Sequence, residues 1–216
     1  MMFSLVIFDL DGTLLDTIDD IALSMNAMLE KQGFPTHVRD AYKYFVGSGA
    51  RVLAERSLPE DVRTEGNISR LLEDFIPYYE LHKKDRTRVY EGMTETLEEL
   101  LRRGLLLAVA SNKPHALMLD ILQYYFPKLR FSLFFGQRPG HPVKPDPEIV
   151  FDILSGLKVE KEQALYVGDT AVDMQTAHAA GLKAAGALWG FRTREELLAE
   201  RADFLLEQPR EIVGLL

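Results

Sequence analysis

The chain has 216 residues, of which 47% are hydrophobic and 27% charged, a composition typical of a soluble globular protein with one large core, or with a core and a small second domain. Its net charge of −8 argues against nonspecific binding to nucleic acid, because such binding depends on clustered Lys and Arg. The absence of cysteine excludes disulfides, thiolate metal sites and a cysteine nucleophile. No apolar run is long enough to predict a membrane span and no signal peptide is evident, so we expect a cytoplasmic protein.

Apolar runs typical of buried parallel strands recur along the chain, and helical patterns separate them. The predicted strands cover residues 3–8, 105–110, 131–135, 164–167, 184–189 and 204–206. The predicted helices between them cover residues 93–103, 115–125, 147–157 and 171–180. This alternation predicts an α/β fold with a doubly wound, mostly parallel, Rossmann-like sheet and helices on both of its faces.

Residues 16–85 interrupt the alternation with helical patterns and no convincing strand. The first of these helices follows Thr17, which together with Asp20 resembles a capping box, and Gly33 is a plausible stop. The other helices predicted in this region cover residues 38–46, 50–57 and a long segment that ends near residue 84.

This organisation predicts an α/β core formed by residues 1–15 and 86–216 and an inserted α-helical cap formed by residues 16–85. The cap would cover the crevice at the carboxyl ends of the strands, where open α/β sheets bind ligands. The alternative is that these helices extend the main core. The two crossings, near residues 13–16 and 86–92, are candidate hinges.

Two aspartates, Asp9 and Asp11, follow the first predicted strand in the pattern Asp-x-Asp-Gly-Thr. At the carboxyl end of a strand, both side chains can point into one crevice. Two carboxylates so close together repel each other unless a cation or a shared proton lies between them. A solvated turn with incidental acids is the alternative, but chance produces this pattern only about once in several hundred chains of this size.

Three further loops carry polar residues at or near strand ends. Ser111 and Asn112 follow the second core strand, Lys144 lies in a proline-rich loop, and Asp169 and Asp173 follow the fourth core strand. Taken singly, each has an ordinary structural explanation, such as a helix cap or a solvated side chain. Because parallel strands end at the same edge of a sheet, we expect the four loops to converge on one site.

Metal-assisted phosphoryl transfer is the chemistry that this set suits. Asp9 and Asp169 offer the hard oxygen ligands that Mg²⁺ prefers, and Asp173 lies one helical turn further on, where it can face the same ion or its waters. An ionised aspartate can act as a nucleophile. Ser111 can donate to phosphate oxygens, and Lys144 supplies a cation beside the phosphate and the acids. These positive groups would make the site attractive to an anion within an acidic protein.

Together these motifs resemble the haloacid-dehalogenase-like phosphohydrolase superfamily over nearly the whole chain. The matching segments are DLDGT at 9–13, SN at 111–112, KP at 144–145 and GDxxxD at 168–173. The helical insert after the first motif resembles the helical cap of that superfamily. Within it, the closest resemblance is to members of the phosphoglycolate phosphatase type, through VGSG at 46–49 and KPDP at 144–147.

The resemblance implies a role for each acid. Asp9 would attack phosphorus and form an aspartyl-phosphate, and Asp11 would protonate the leaving oxygen and then activate the hydrolytic water. Mg²⁺ would be held by Asp9, by the carbonyl oxygen of Asp11 and by Asp169. Asp173 would place a metal-bound water or Lys144.

The resemblance also implies that Ser111 and Asn112 hold the phosphoryl oxygens, while Lys144 neutralises Asp9 and the transferred group. No motif fixes the cap residues that select the substrate. Lys43 and Arg51 are either candidates for contacting a second anionic group or surface charges.

These inferences predict a Mg²⁺-dependent phosphomonoesterase that acts on a small phosphorylated metabolite, with 2-phosphoglycolate as the leading substrate. A sugar-phosphate mutase or a pyrophosphatase on the same core is the alternative, as is a non-catalytic phosphometabolite-binding module. A dehalogenase is disfavoured, because that chemistry needs neither a metal nor the second acid, Asp11. We expect a monomer or a homodimer with no nucleic-acid or membrane partner.

Overall fold

The computed structural model describes residues 3–216, so the first two residues of the predicted core segment lie outside the described part. The strands are β1 (Leu5–Phe8), β2 (Leu15–Asp16), β3 (Arg88–Val89), β4 (Leu106–Pro114), β5 (Leu133–Gln137), β6 (Ala164–Gly168), β7 (Lys183–Ala187) and β8 (Phe204–Leu206). The α-helices are α1 (Ile18–Lys31), α2 (Tyr42–Phe45), α3 (Ala50–Ser57), α4 (Glu65–His82), α5 (Met93–Arg102), α6 (His115–Tyr125), α7 (Glu148–Leu157), α8 (Ala171–Ala180) and α9 (Arg194–Ala199).

Six of the strands form one parallel sheet in the order β5-β4-β1-β6-β7-β8. β1 pairs with both β4 and β6, and all four of its residues are buried. Its side chains alternate between two hydrophobic clusters, since Val6 and Phe8 enter one and Leu5 and Ile7 the other. Helices therefore cover both faces, and the predicted doubly wound α/β fold is confirmed. The carboxyl ends of β1, β4 and β6 meet at one edge.

The boundaries differ from the prediction where the pattern is short or interrupted. β4 continues to Pro114 through a register shift after Ala110, so Ser111 and Asn112 extend a strand instead of forming a loop. The helix predicted over residues 38–46 is a 3₁₀ turn followed by the four-residue α2. Neither α9 nor the two-residue strands β2 and β3 were predicted, because such short segments show no period.

The helices α1 to α4 lie between β2 and β3 in the chain, as the insertion predicts. Met25 and Leu29 of α1 and Leu71 and Phe75 of α4 are buried in one cluster, which continues to Phe8 of the central strand. Because the cluster is continuous, the division of the chain after residues 15 and 85 stays a prediction. Within residues 3–216, none of the helices combines the length and the apolar character needed to cross a lipid bilayer.

The two crossings between the helices and the sheet are tied to each other. β2 pairs with β3 in the antiparallel sense. The carboxylate of Asp20, which is buried, accepts the backbone N–H of Arg86 at 2.9 Å and that of Thr87 at 2.8 Å. The capping box predicted for Thr17 and Asp20 is therefore wrong, because Asp20 binds the returning chain and Thr17 makes no side-chain cap. Gly33, by contrast, ends the first helix with a φ of 76°, as predicted.

Replacing Asp20 with Ala should destabilise the protein by about 1–3 kcal/mol, because the backbone N–H groups of Arg86 and Thr87 lose their acceptor and that of Thr87 is buried. Urea unfolding measures the change. The matched control is Asp19→Ala, which removes a more exposed carboxylate paired with Arg39 and should cost less than about 1 kcal/mol. Equal losses for the two variants would contradict the role given to Asp20.

Candidate active site

The turn after β1 brings the first motif against the fourth. The backbone N–H of Asp9 donates to the carbonyl of Val167 on β6 at 2.9 Å. Gly12 then adopts a φ of 92°, a left-handed conformation that favours glycine. A Cβ at Gly12 would collide with the carboxylate of Asp169, so this position also needs the absence of a side chain. The glycine of the first motif thus permits the close approach of the two acidic loops.

Lys144 lies between two of the aspartates. Its Nζ donates to Asp9 Oδ1 at 2.9 Å and to Asp173 Oδ1 at 2.7 Å. It also contacts the carbonyl oxygen of Ala110 at 2.9 Å and the Tyr166 hydroxyl at 3.0 Å. Burial alone would lower the pKa of this lysine, but attraction by Asp173 and Asp9 outweighs it, so the pKa of Lys144 is raised well above its ordinary value. The lysine is therefore a fixed positive charge at neutral pH.

Asp173 is held by the start of α8. Its Oδ2 accepts the backbone N–H of Thr170 at 3.1 Å and the hydroxyl of Thr170 at 2.7 Å, which completes a capping box. A Cβ at Gly168 would collide with the Asp173 side chain. One carboxylate oxygen is thus used by the helix cap, and the other is left to position Lys144.

Asp169 is supported from two directions. Its Oδ1 accepts the hydroxyl of Thr13 at 2.9 Å, and its Oδ2 accepts the backbone N–H of Phe191 at 2.8 Å. The Trp189 indole N–H donates to the carbonyl of Thr13 at 3.0 Å, and a Cβ at Gly190 would collide with Asp169. This supporting segment after β7 was not predicted as part of the site, because it carries no charged side chain to mark it.

Negative charge is in excess at this edge of the sheet. Carboxylate oxygens of Asp9, Asp169 and Asp173 lie within 4.8 Å of one another, and all three residues are buried. Burial raises the pKa of Asp9 to about 7, since repulsion by Asp173 and Asp11 adds to lost hydration and Lys144 compensates only in part. Burial, together with repulsion by Asp173 and Asp9, raises the pKa of Asp169 well above its ordinary value. One lysine does not balance three carboxylates.

A divalent cation fits this arrangement. The available donors are hard carboxylate oxygens, the type that Mg²⁺ prefers. Each oxygen of Asp169 accepts a single hydrogen bond, which leaves lone pairs for a further ligand. The structure brings the predicted side-chain ligands Asp9 and Asp169 together, beside Asp173. The identity of the ion and the contribution of the Asp11 carbonyl stay predictions.

Asp11 has a cationic partner that the sequence analysis did not assign. Lys113 Nζ donates to Asp11 Oδ1 at 2.9 Å and to the hydroxyl of Tyr79 on α4 at 2.7 Å. The ammonium also lies 4.7 Å from the centre of the Tyr79 ring. Attraction by Asp11 and Tyr79 outweighs burial and raises the pKa of Lys113. The position of Lys113 directly after the second motif could have marked it as a site residue. Tyr79 lies in an ordinary helical pattern, which gives no such signal.

The side chain of Asn112 joins two loops. Its amide nitrogen donates to the carbonyls of Gly47 at 2.9 Å and Lys144 at 3.0 Å, and its oxygen accepts the backbone N–H of Lys144 at 2.8 Å. The hydroxyl of Ser111 accepts the backbone N–H of Lys113 at 3.2 Å and keeps its own proton for another acceptor. In this structure Ser111 is therefore the better placed phosphate donor, and the phosphate contact predicted for Asn112 stays a prediction.

A cavity of about 50 Å³ lies between the cap helices and this edge of the sheet. Asp9, Asp11 and Ser111 face it from the sheet. Its apolar wall comes mainly from the cap and includes Ile21, Val46, Leu53 and Phe75. The wall limits the access of water to the acids, and the cavity leaves room only for a small ligand in this arrangement.

Lys43 and Arg51 do not line the cavity. Arg51 pairs with Glu65, and Lys43 lies 3.3 Å from Asp40, in both cases with well-exposed acids. Of the two interpretations left open for these residues, the structure favours surface charges over contact with a second anionic group.

The fold and the site define a capped, doubly wound α/β protein with an acidic centre at the carboxyl edge of its sheet. The family model described as haloacid dehalogenase-like hydrolase matches residues 6–187. The chain therefore belongs to the haloacid dehalogenase-like hydrolase family. This confirms the resemblance drawn from the four motifs.

Comparison with similar proteins indicates which type of hydrolase this is. The phosphoglycolate phosphatase of Aquifex aeolicus is 36% identical over 211 residues, which cover 98% of this chain and 95% of that protein. The phosphoglycolate phosphatase of Haemophilus influenzae is 30% identical and covers 99% of this chain and 98% of its own length. A crystal structure described as a predicted phosphoglycolate phosphatase from Haemophilus somnus superposes with a TM-score of 0.92 at 28% identity, covering 100% of this chain and 98% of that one. The protein is thus a phosphatase of this family.

The raised pKa of Asp9 predicts a pH-dependent loss of stability in metal-free protein. Between about pH 4 and 7 the folded state binds a proton at Asp9 that the unfolded state has released, so stability falls as the pH rises. Asp9→Asn removes this loss. Across this pH range, the free energy of unfolding of the wild type should therefore fall by on the order of 2–4 kcal/mol relative to that of the variant.

Urea unfolding in the presence of a chelator, at several pH values from 4 to 8, measures the difference. Asp40→Asn is the matched control, because it changes an exposed cap aspartate whose pKa is lowered. A difference between wild type and Asp9→Asn that does not change with pH would contradict the prediction.

Proposed function

We propose that this phosphatase hydrolyses 2-phosphoglycolate, or a closely similar small phosphorylated acid, through an aspartyl-phosphate on Asp9. The observation that carries the proposal is the placement of Asp9, which faces the cavity and is bound on one carboxylate oxygen by the fixed charge of Lys144. The names of the relatives and the small cavity support the choice of substrate. The cytoplasmic location and the oligomeric state stay predictions.

In the first step, a carboxylate oxygen of Asp9 attacks phosphorus, and the bond from phosphorus to the leaving oxygen breaks. Asp11, as the acid, transfers its proton to that oxygen, and the alcohol product departs. The Ser111 hydroxyl donates to a phosphoryl oxygen, while Lys144 offsets the charge shared by Asp9 and the phosphoryl group.

In the second step, Asp11 accepts a proton from a water molecule whose oxygen attacks the phosphorus of the aspartyl-phosphate. The bond between phosphorus and Asp9 breaks, which releases inorganic phosphate and restores both acids. Lys113, at 2.9 Å, holds the Asp11 carboxylate in place between the two steps. The apolar cap wall limits the access of other water.

Mg²⁺ would be held by Asp9, by the carbonyl oxygen of Asp11 and by Asp169. When bound, it would neutralise phosphoryl oxygens and the excess charge of the aspartates. In this proposal Asp173 acts by positioning Lys144, which its 2.7 Å contact supports.

Asp9→Asn should lower the turnover of an aryl phosphate by at least about 10³-fold, because an amide does not replace the carboxylate nucleophile. Release of inorganic phosphate measures the loss, and circular dichroism shows whether the fold is kept. Asp40→Asn should retain activity. Turnover by a folded Asp9→Asn protein at the wild-type rate would refute the assignment of the nucleophile.

Removal of divalent metal should stop turnover, and added Mg²⁺ should restore it. Without the metal, the charge of three neighbouring carboxylates is offset by Lys144 alone. Asp169→Asn should raise the Mg²⁺ concentration that gives half-maximal activity by about tenfold or more. Added Mg²⁺ should also raise the melting temperature of the wild type more than that of the variant. Rates that do not change on chelation would remove the metal from the mechanism.

A further inference from the structure

The cavity contains one cationic side chain among its lining residues in the described chain, and that residue is Lys113. Lys144 lies behind Asp9, does not line the cavity and is surrounded by four protein acceptors. Lys43 and Arg51 lie outside it. A substrate with a second negative charge therefore meets Lys113 or no cation at all.

The chemistry of a 2-phospho acid places its carboxylate close to Lys113. When phosphorus lies against Asp9, the leaving oxygen must lie against the acid Asp11. In a 2-phospho acid, a single carbon separates this oxygen from the carboxyl carbon. Lys113 Nζ lies 2.9 Å from one oxygen of Asp11 and 3.2 Å from the other, so it is next to the position that this carboxylate must take. Once Asp11 has given up its proton, its carboxylate and that of the substrate would repel each other without a cation between them.

Tyr79 supplies a second donor at the same place. Its hydroxyl accepts a hydrogen bond from Lys113 at 2.7 Å and, within residues 3–216, donates its own proton to no protein acceptor. The residue is 3% exposed, so water does not readily satisfy this proton. Because Tyr79 belongs to α4, its contact with Lys113 also joins the cap to the sheet edge. A carboxylate oxygen would give the Tyr79 hydroxyl the acceptor that it lacks, next to the ammonium of Lys113.

We propose that Lys113 and Tyr79 form the specificity site of this enzyme and bind the carboxylate of a small 2-phospho acid. This inference rests on the proposed phosphatase function and adds the residues that select the substrate class. The selection depends on charge. A carboxylate would accept a charge-assisted hydrogen bond from Lys113 and a second hydrogen bond from the Tyr79 hydroxyl. A neutral group at the same position would gain no charge-assisted bond.

The test compares 2-phosphoglycolate with 2-hydroxyethyl phosphate, which has a neutral hydroxymethyl group in place of the carboxylate. In the wild type, kcat/KM should favour 2-phosphoglycolate. Lys113→Met, which keeps the length of the side chain, should lower this ratio by about 10- to 100-fold, chiefly through the KM for 2-phosphoglycolate. Lys113→Arg should recover part of the ratio, because it restores the charge.

Tyr79→Phe removes a single hydroxyl and serves if Lys113→Met does not fold. It should lower the ratio by about two- to tenfold. Lys43→Met, at a partly exposed cap lysine outside the cavity, should leave the ratio at the wild-type value.

Equal losses for both substrates in Lys113→Met and in Tyr79→Phe would overturn the inference, because Lys113 would then act only by holding Asp11. A wild type that hydrolyses the neutral ester as well as 2-phosphoglycolate would overturn it too, with the phosphatase function intact. A wild type that releases phosphate from neither ester nor from an aryl phosphate would instead refute the proposed function itself.

Discussion

Repulsion among buried carboxylates is the constraint on which the rest of this structure depends. Asp9, Asp169 and Asp173 lie within a few ångströms of one another at the end of a buried strand, where lost hydration makes their charges costly. Lys144 is the lysine placed among them, and it binds two of the three. The negative charge that Lys144 leaves uncompensated raises the pKa of Asp9 and makes a cation fit the site.

The surrounding loops hold these charged side chains at fixed positions. Thr13 and the backbone of Phe191 hold Asp169, and the capping box of α8 holds Asp173. Small residues at Gly12 and Gly190 admit the Asp169 carboxylate between two backbone segments. Groups fixed in this way need little reorganisation when charge develops on a substrate, which is the main source of electrostatic catalysis.

The sequence was sufficient to predict the elements with a strong period and the acids with a strong motif. The parallel sheet, the helical insert and the meeting of Asp9, Lys144 and Asp169 at one edge were all predicted. The sequence was not sufficient where function depends on a contact between distant residues. Asp20 resembles a helix cap locally but binds the chain where it returns from the helical insert to the sheet. In the sequence, Tyr79 fits the apolar face of a helix, and only the structure shows its contact with Lys113.

The amide of Asn112 has a consequence for repeated turnover. Of its three hydrogen bonds, one reaches Gly47 in the cap and two hold the backbone of Lys144. Any movement that separates Gly47 from the sheet breaks the first bond and leaves the other two intact. If product leaves by such a movement, the two bonds to Lys144 would keep the loop that carries the lysine in place, and the next cycle would start from a charge already in its working position.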